Sequence, residues 1–309
     1  MRFWPRIKIL TAGVSVMASL LMPFGTAHAL ADPSPWTGLL LPAPIGWSPS
    51  TATACPTGSI TCVDATIAAQ QAQLDPLIAS CDHNLVFNFV YWRITQAFRT
   101  TQNDSTFFHN PQYLNQEDAV FAGYYSRQYQ AWRAGNTAQV APAWRVAFAA
   151  ADQKQVSGLG DAFIALAAHI LHDEPYTLLE MGLAYPDGVS AKGDYDKDNV
   201  WLAAAQVPTI AEAARRFDPA IGQPAVLNTP PFSTIDYQLV AGWRELAWRN
   251  AEQLKLAVDT HNPLLYQLVA AQIDAQSTAA ANALKLATTN TAQQTANRDA
   301  YCMAHHNDL

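Results

Sequence analysis

GLGDAFIALAAHILHDEPYTLLEMGL, residues 158–183, decides how this chain is read. Its first half is Ala-rich and apolar, the composition of a buried α-helix. Its second half sets His169, His172, Asp173 and Glu174 just before Pro175, inside that apolar context, where charge is costly to bury. His169 and Asp173 stand four residues apart, so on a helix they share a face and can hold one metal ion, one proton or each other. His172 falls on a different face and is expected in solvent. Glu174 falls on the side of Phe163, Ala167 and Ile170; if buried it needs a partner, for which Arg244 is the candidate.

The same helical rhythm extends in both directions. Periodicity, breakers and caps predict helices near 63–80, 82–101, 115–134, 141–155, 158–183, 197–217, 232–260 and 263–303, the last broken near Thr288-Thr289-Asn290. In the second of these, Val86, Phe89, Val90, Ile94 and Ala97 repeat at i, i+3, i+4, and Asp82 is placed to cap its start. Strand signals are almost absent. The fold class is therefore all-α, a single-domain multi-helix bundle over 63–309. Ahead of it, residues 30–62 carry Pro33, Pro35, Pro42, Pro44, Pro49 and Pro56, which forbid a regular helix and predict an extended arm. Its Trp36, Leu39, Leu40, Leu41 and Trp47 are expected to lie against the bundle.

Arg2, Arg6 and Lys8 precede an apolar run to Leu21 and then Ala27-His28-Ala29, the pattern of a secretory signal peptide over 1–29, cleaved after Ala29 or alternatively Ala31. Pro23 and Gly25 end that run too early for a spanning helix, and no later segment is apolar and long enough to cross a bilayer. Localisation is expected to be extracellular or in the cell envelope. The chain carries 18 Lys+Arg against 25 Asp+Glu, a net charge of −7, which the loss of a basic leader makes more negative. No Lys/Arg cluster offsets it, which argues against nucleic acid and anionic membrane surfaces as partners. With 50% hydrophobic and 14% charged residues the core should be ample.

Four cysteines in an exported chain indicate two disulfides, for which three pairings exist. The short Pro-Thr-Gly-Ser-Ile-Thr loop favours Cys55 with Cys62, leaving Cys81 for Cys302. That second bridge closes a loop of over two hundred residues, on the order of 4 to 5 kcal/mol in the chain-entropy picture.

Five motifs occur in order: Phe87-Asn88-x-x-Tyr91, Pro142-x-Trp144-Arg145-x-x-Phe148, Ala168-His169-Ile170-x-x-Asp173-x-Pro175, Asp194-Tyr195-x-x-x-Asn199-x-x-Leu202 and Arg244-Glu245-x-Ala247-Trp248. Together, over roughly 63–260, they resemble an uncharacterised family of bacterial helical proteins with an Ala-His-Ile-Asn-Arg-Asp-Leu-Pro signature. No established activity comes with the resemblance. Leu171, His172 and Glu174 stand where that signature has Asn, Arg and Leu.

Two readings of the central motif stand side by side. In the functional one, His169 and Asp173 bind a divalent cation or form an acid/base pair. In the structural one, Asp173 caps a helical segment begun by Pro175 and His169 fills the edge of the core. The spacing Asp194-x-Asp196-x-Asp198 matches the first half of a calcium loop. However, Asn199 occupies the sixth position and Ala205 the twelfth, so these acids are better read as charging a helix N-terminus. In Trp243-Arg244-Glu245-Leu246-Ala247-Trp248-Arg249, Glu245 and Arg249 form an exposed i, i+4 pair. Arg244, which shares a face with Trp248, turns inward as a clamp on Asp173, Glu174 or an anionic ligand. The chain has no nucleophile elbow, zinc-helix pair, P-loop or dinucleotide fingerprint.

Three functions follow. The first is metal-assisted hydrolysis, with His169, Asp173 and Asp194 as ligands and His169, Asp173, Arg244 and Glu245 as the acid/base and positioning set, supported by Asn199, Trp248 and Glu174. The second is binding of a small apolar or lipid-like molecule, with Arg244 and His169 orienting its polar end. The third is a purely structural module. The first is preferred, because a histidine with several carboxylates is a competent metal set.

Overall fold

Side-chain caps set where the helices begin. The computed structural model describes residues 32–222 and 234–308, with side chains from 237 onward in the second stretch. The expected leader over 1–29 lies outside them. In chain order come α1 (Ile60–Ser80), α2 (Leu85–Thr101), α3 (Pro111–Arg133), α4 (Pro142–Asp152), α5 (Gly158–Ala168), a π-helical turn (His169–Asp173), α6 (Glu174–Met181), α7 (Lys192–Arg216), α8 (Thr234–Asp259), α9 (Pro263–Ala287) and α10 (Ala292–His305). Among the described residues there are no strands, only the isolated bridges Val156–Thr289 and Ala184–Ser190. The protein is all-α, as its periodicity predicts.

Ser59, Asn110, Ser157, Asn262 and Thr291 each accept a backbone N–H from the first turn of the helix they precede, and Pro111 and Pro263 supply a preset φ. The long C-terminal segment does break near Thr288, because Thr291 and Gln294 form a reciprocal capping box that starts a new helix. Asp82 does not cap α2 directly. It accepts the Asn84 N–H and amide, and Asn84 takes the cap position.

α5 packs against the end of α9 so closely that a Cβ on Gly160 would stand 2.3 Å from the Thr288 hydroxyl, so only glycine fits there. α2, α3, α4 and α5 enclose an aromatic core of Phe87, Tyr91, Tyr125, Trp144 and Phe148. On the other side of α2, Leu85 and Phe89 pack with Ile210 and Phe217 of α7.

Both expected disulfides are formed, Cys55–Cys62 and Cys81–Cys302. Beside the second, Arg298 of α10 is buried against Asp161 at 2.6 Å and donates to His83 Nδ1 at 3.0 Å. Burial, and the guanidinium next to it, push the His83 pKa down to about 4. The imidazole therefore stays a neutral acceptor.

The arm departs from expectation. Leu39, Leu40, Leu41 and Trp47 are exposed rather than laid on the bundle. Trp36 does pack as expected, against the cluster of Ile170, Tyr237 and Val240, and polar groups hold the arm beside it: Arg249 donates to the Leu40 and Leu41 carbonyls, Lys192 to that of Thr37, and Trp36 to Gln238.

Candidate functional site

The π-helical turn at His169–Asp173 follows from Pro175. A proline inside a helix has no N–H for the carbonyl four residues earlier and its ring crowds that carbonyl, so the turn widens just ahead of it. The Glu174 N–H accordingly bonds to the His169 carbonyl, five residues back. Widening draws side chains that an α-helix would fan apart onto one carboxylate. Asp173 is fully buried and accepts three hydrogen bonds: Trp144 Nε1–H at 2.9 Å and His169 Nδ1–H at 2.9 Å on Oδ2, and His172 Nδ1–H at 2.7 Å on Oδ1. Burial opposes its ionisation, but the histidine hydrogen bonds and charge prevail and lower its pKa. Burial likewise opposes charge on His172, yet the bond to Asp173 and the nearness of Asp274 raise its pKa. For His169 burial wins and its pKa is lowered. These shifts favour a His172–Asp173 ion pair beside a neutral His169, whose tautomer the bond to Asp173 fixes.

That tautomer leaves the His169 Nε2 lone pair free. The ring is clamped between aromatics, stacked on Phe121 at 3.6 Å and edge-on to Tyr91 at 4.8 Å. The residue is 2% exposed, and Nε2 has no hydrogen-bond partner. It lines a cavity of about 120 Å³ walled mainly by Phe87, Ile94, Phe121, Leu166, Ile170 and Leu202, which Arg244 also reaches.

A second cavity of about 90 Å³ adjoins the first, sharing Tyr91, Ile94, Phe121, Leu202 and Arg244, and is acidic where the first is apolar. Glu117, Asp118, Glu174 and Asp198 line it. Arg244 crosses it, bound to Glu174 at 2.8 Å, Asp198 at 3.4 Å, Asn199 at 3.1 Å and the Tyr195 carbonyl at 2.8 Å. One guanidinium cannot balance four carboxyls. Burial is the main cause in each case. It raises Asp118 to about 8, with Asp198 repulsion adding, and it raises Glu174 to about 7 and Asp198 to about 6 against the pull of Arg244.

A family model matches residues 63–287, most of the chain. The chain belongs to DUF5995, a family of unknown function. No curated protein and no solved structure matches it. The expected membership of an uncharacterised family is thus met over most of this DUF5995 member.

His169 and Asp173 meet as expected, and Arg244 takes Glu174. Three expectations are corrected. His172 is buried rather than solvated, because the wide turn rotates it inward. Asp194 does not approach His169: it sits in the first turn of α7 and accepts the His109 and Asn110 N–H groups and the Tyr185 hydroxyl. Because Asp194, Asp196 and Asp198 lie on a helix rather than in a loop, they diverge, Asp196 to Lys192 and Asp198 to Arg244 and Trp201. Glu245 is not an exposed partner of Arg249 alone but is buried between Arg249 and Lys192, and it lines neither cavity. Trp248 is core, and Asn199 accepts from Tyr237 and Arg244. Among the described residues no three His, Cys, Asp or Glu side chains are grouped to hold a metal ion.

Sequence reasoning missed Tyr91 as a wall of both cavities, and Glu117 and Asp118 altogether. Adjacent acids inside a helix that continues Phe121, Tyr124, Tyr125 carry a signal of the same kind as the one read at residues 172–174, and it was not followed there.

Carboxyls whose folded pKa is raised bind protons that the unfolded chain has released, so stability falls as pH climbs from about 4 through about 8, the Asp118 value. Melting temperature should therefore be higher at pH 5.5 than at pH 8.5, and Asp118→Asn should flatten that slope. A slope unchanged in the variant would contradict the assignment.

Proposed function

We propose that this protein binds a small, mainly apolar molecule in the 120 Å³ cavity, with His169 accepting a hydrogen bond from the molecule's polar end. What carries the reading is His169 Nε2, buried and unpartnered in a wall of hydrocarbon. Such an atom costs roughly 1–3 kcal/mol, which a ligand hydroxyl or amine N–H recovers. The cavity approaches the ~150 Å³ that takes one benzene ring. This size favours a single ring or a short branched chain over a long acyl chain.

A second reading rests on the dyad itself. A carboxylate that fixes an imidazole tautomer, with an unpartnered Nε2 on a ring that lines a cavity, is the arrangement of a general base. The two readings differ in whether the bound molecule leaves chemically changed.

The two disulfides suit an oxidising compartment, and export by the leader at 1–29 belongs to the same proposal. Among the described residues no helix is long and apolar enough to cross a membrane.

Titration calorimetry with 2-phenylethanol, a ring with one hydroxyl, tests the site. Saturable binding of one molecule per chain is expected, with affinity reduced at least tenfold in His169→Phe, which keeps the wall but removes the acceptor. Equal binding by the variant would contradict the role of His169.

A further inference from the structure

The acidic cavity holds more negative potential than its one cation can use. Glu174 is 2% exposed, and while its Oε1 takes Arg244, its Oε2 has no partner. The Tyr195 hydroxyl, beside that carboxyl, gives its proton to the Arg244 carbonyl instead. Asp118 Oδ2 is likewise unpartnered, and so is the hydroxyl of Tyr91, 9% exposed, where the acidic and apolar cavities meet. Buried polar atoms are nearly always paired in folded proteins, so three orphans around one cavity mark a place where a partner is missing.

The missing partner is a donor to the ionised form, because two of the three orphans are carboxyl oxygens, which as carboxylates only accept. It is not a further protein cation: Arg244 is committed to Glu174, Asp198, Asn199 and the Tyr195 carbonyl, and Lys197 lies outside, on Asp194 and the Phe107 carbonyl. Nor do the acids form a metal-holding group among the described residues. An ammonium group suits both facts, since it offers three donors in different directions and needs no fixed coordination shell.

Resting on the apolar-ligand reading above, we propose that the molecule bound is an amine, its hydrocarbon body in the apolar cavity and its ammonium where the two cavities meet, one N–H donated to His169 Nε2 and the others to the acidic cavity lined by Glu117, Asp118, Glu174 and Asp198. In the free protein Asp118 and Glu117 keep protons near neutral pH, Asp118 up to about 8 and Glu117 well above the usual carboxylate range, because burial penalises their charge and Asp198 repels it. Entry of an ammonium reverses that balance, and a carboxyl gives up its proton as the cation arrives.

The test is calorimetry of the whole chain at pH 7.5 with three probes of one shape: 2-phenylethylamine, 2-phenylethanol and phenylacetate. The amine should bind at least tenfold tighter than the alcohol, and phenylacetate weakest. Repeating the titrations in buffers of different ionisation enthalpy should show about one proton released with the amine and none with the alcohol. Asp118→Asn, at a half-buried position outside the Arg244 ion pairs, should erase most of the amine's advantage, read as the ratio of amine to alcohol affinity; Glu174→Gln checks the result from the other wall. An alcohol as tight as the amine, or phenylacetate tightest of the three, overturns the amine assignment and leaves the apolar site standing. Failure of all three to bind overturns the site itself.

Discussion

Arg244→Met is expected to destabilise the protein by about 3–5 kcal/mol, because it strips the buried Glu174 and Asp198 carboxylates of their counter-charge. It also leaves the Asn199 side chain and the Tyr195 carbonyl short of a donor. The size of the loss should depend on pH in a definite sense. Glu174, already raised to about 7 by burial with Arg244 present, rises further without it, so at pH 5.5 both acids take up protons at little cost, whereas at pH 8 that uptake costs far more against an unfolded chain whose acids are ionised. Urea unfolding at the two pH values measures this directly. A loss under about 1 kcal/mol at pH 8 would show that the guanidinium is a solvated surface charge rather than the counter-ion of a buried acid cluster.

The second large effect concerns the C-terminal helix. Cys81 and Cys302 are 221 residues apart, so their bridge removes far more chain entropy from the unfolded state than the Cys55–Cys62 bridge, whose partners are 7 apart. In the chain-entropy picture the long bridge contributes about 5 kcal/mol and the short one about 2–3 kcal/mol. Replacing Cys81 and Cys302 by Ser should cost the larger amount, and replacing Cys55 and Cys62 the smaller, by denaturant unfolding of otherwise oxidised protein. The difference is moderated by Arg298, whose ion pair with Asp161 holds α10 independently of the sulfur link. Equal losses from the two pairs would mean that native packing, not loop length, decides what each bridge is worth.

The helices were legible because their signals are local. Ser157, Asn262 and the Thr291–Gln294 box announce their own helices, and the proline-free apolar rhythm between caps needs no tertiary knowledge. The Cys81–Cys302 pairing was legible by elimination once the short loop claimed Cys55 and Cys62.

The site was only half legible, and the reason is a single turn. Placing His172 in solvent assumed an α-helix through residues 169–173, whereas Pro175 widens that turn and brings His169 and His172 to the same carboxylate. The proline is visible in the sequence and suggests a kink, but nothing local says whether it rotates Glu174 away or widens the turn ahead of it. Asp194 misled for the opposite reason. Its spacing with Asp196 and Asp198 reads as a loop only if the helix starts later, and α7 begins at Lys192. Glu117 and Asp118 lie on a helix expected over 115–134 from periodicity alone, and nothing local says that α3 turns those acids toward Arg244. The exposed Leu39–Leu41 run shows the same limit, since its place is set by Arg249 gripping backbone carbonyls rather than by leucine burial.

The account stands on one atom, the unpartnered ring nitrogen of His169, whose residue lines the apolar cavity. Long-range proton–nitrogen NMR of the labelled imidazole reads it directly. Near pH 7 the His169 ring should be neutral, protonated at Nδ1 and bare at Nε2, and the Nε2 resonance should shift saturably as 2-phenylethanol is added. A ring carrying its proton on Nε2, or an Nε2 resonance that does not move while the alcohol binds, would contradict it.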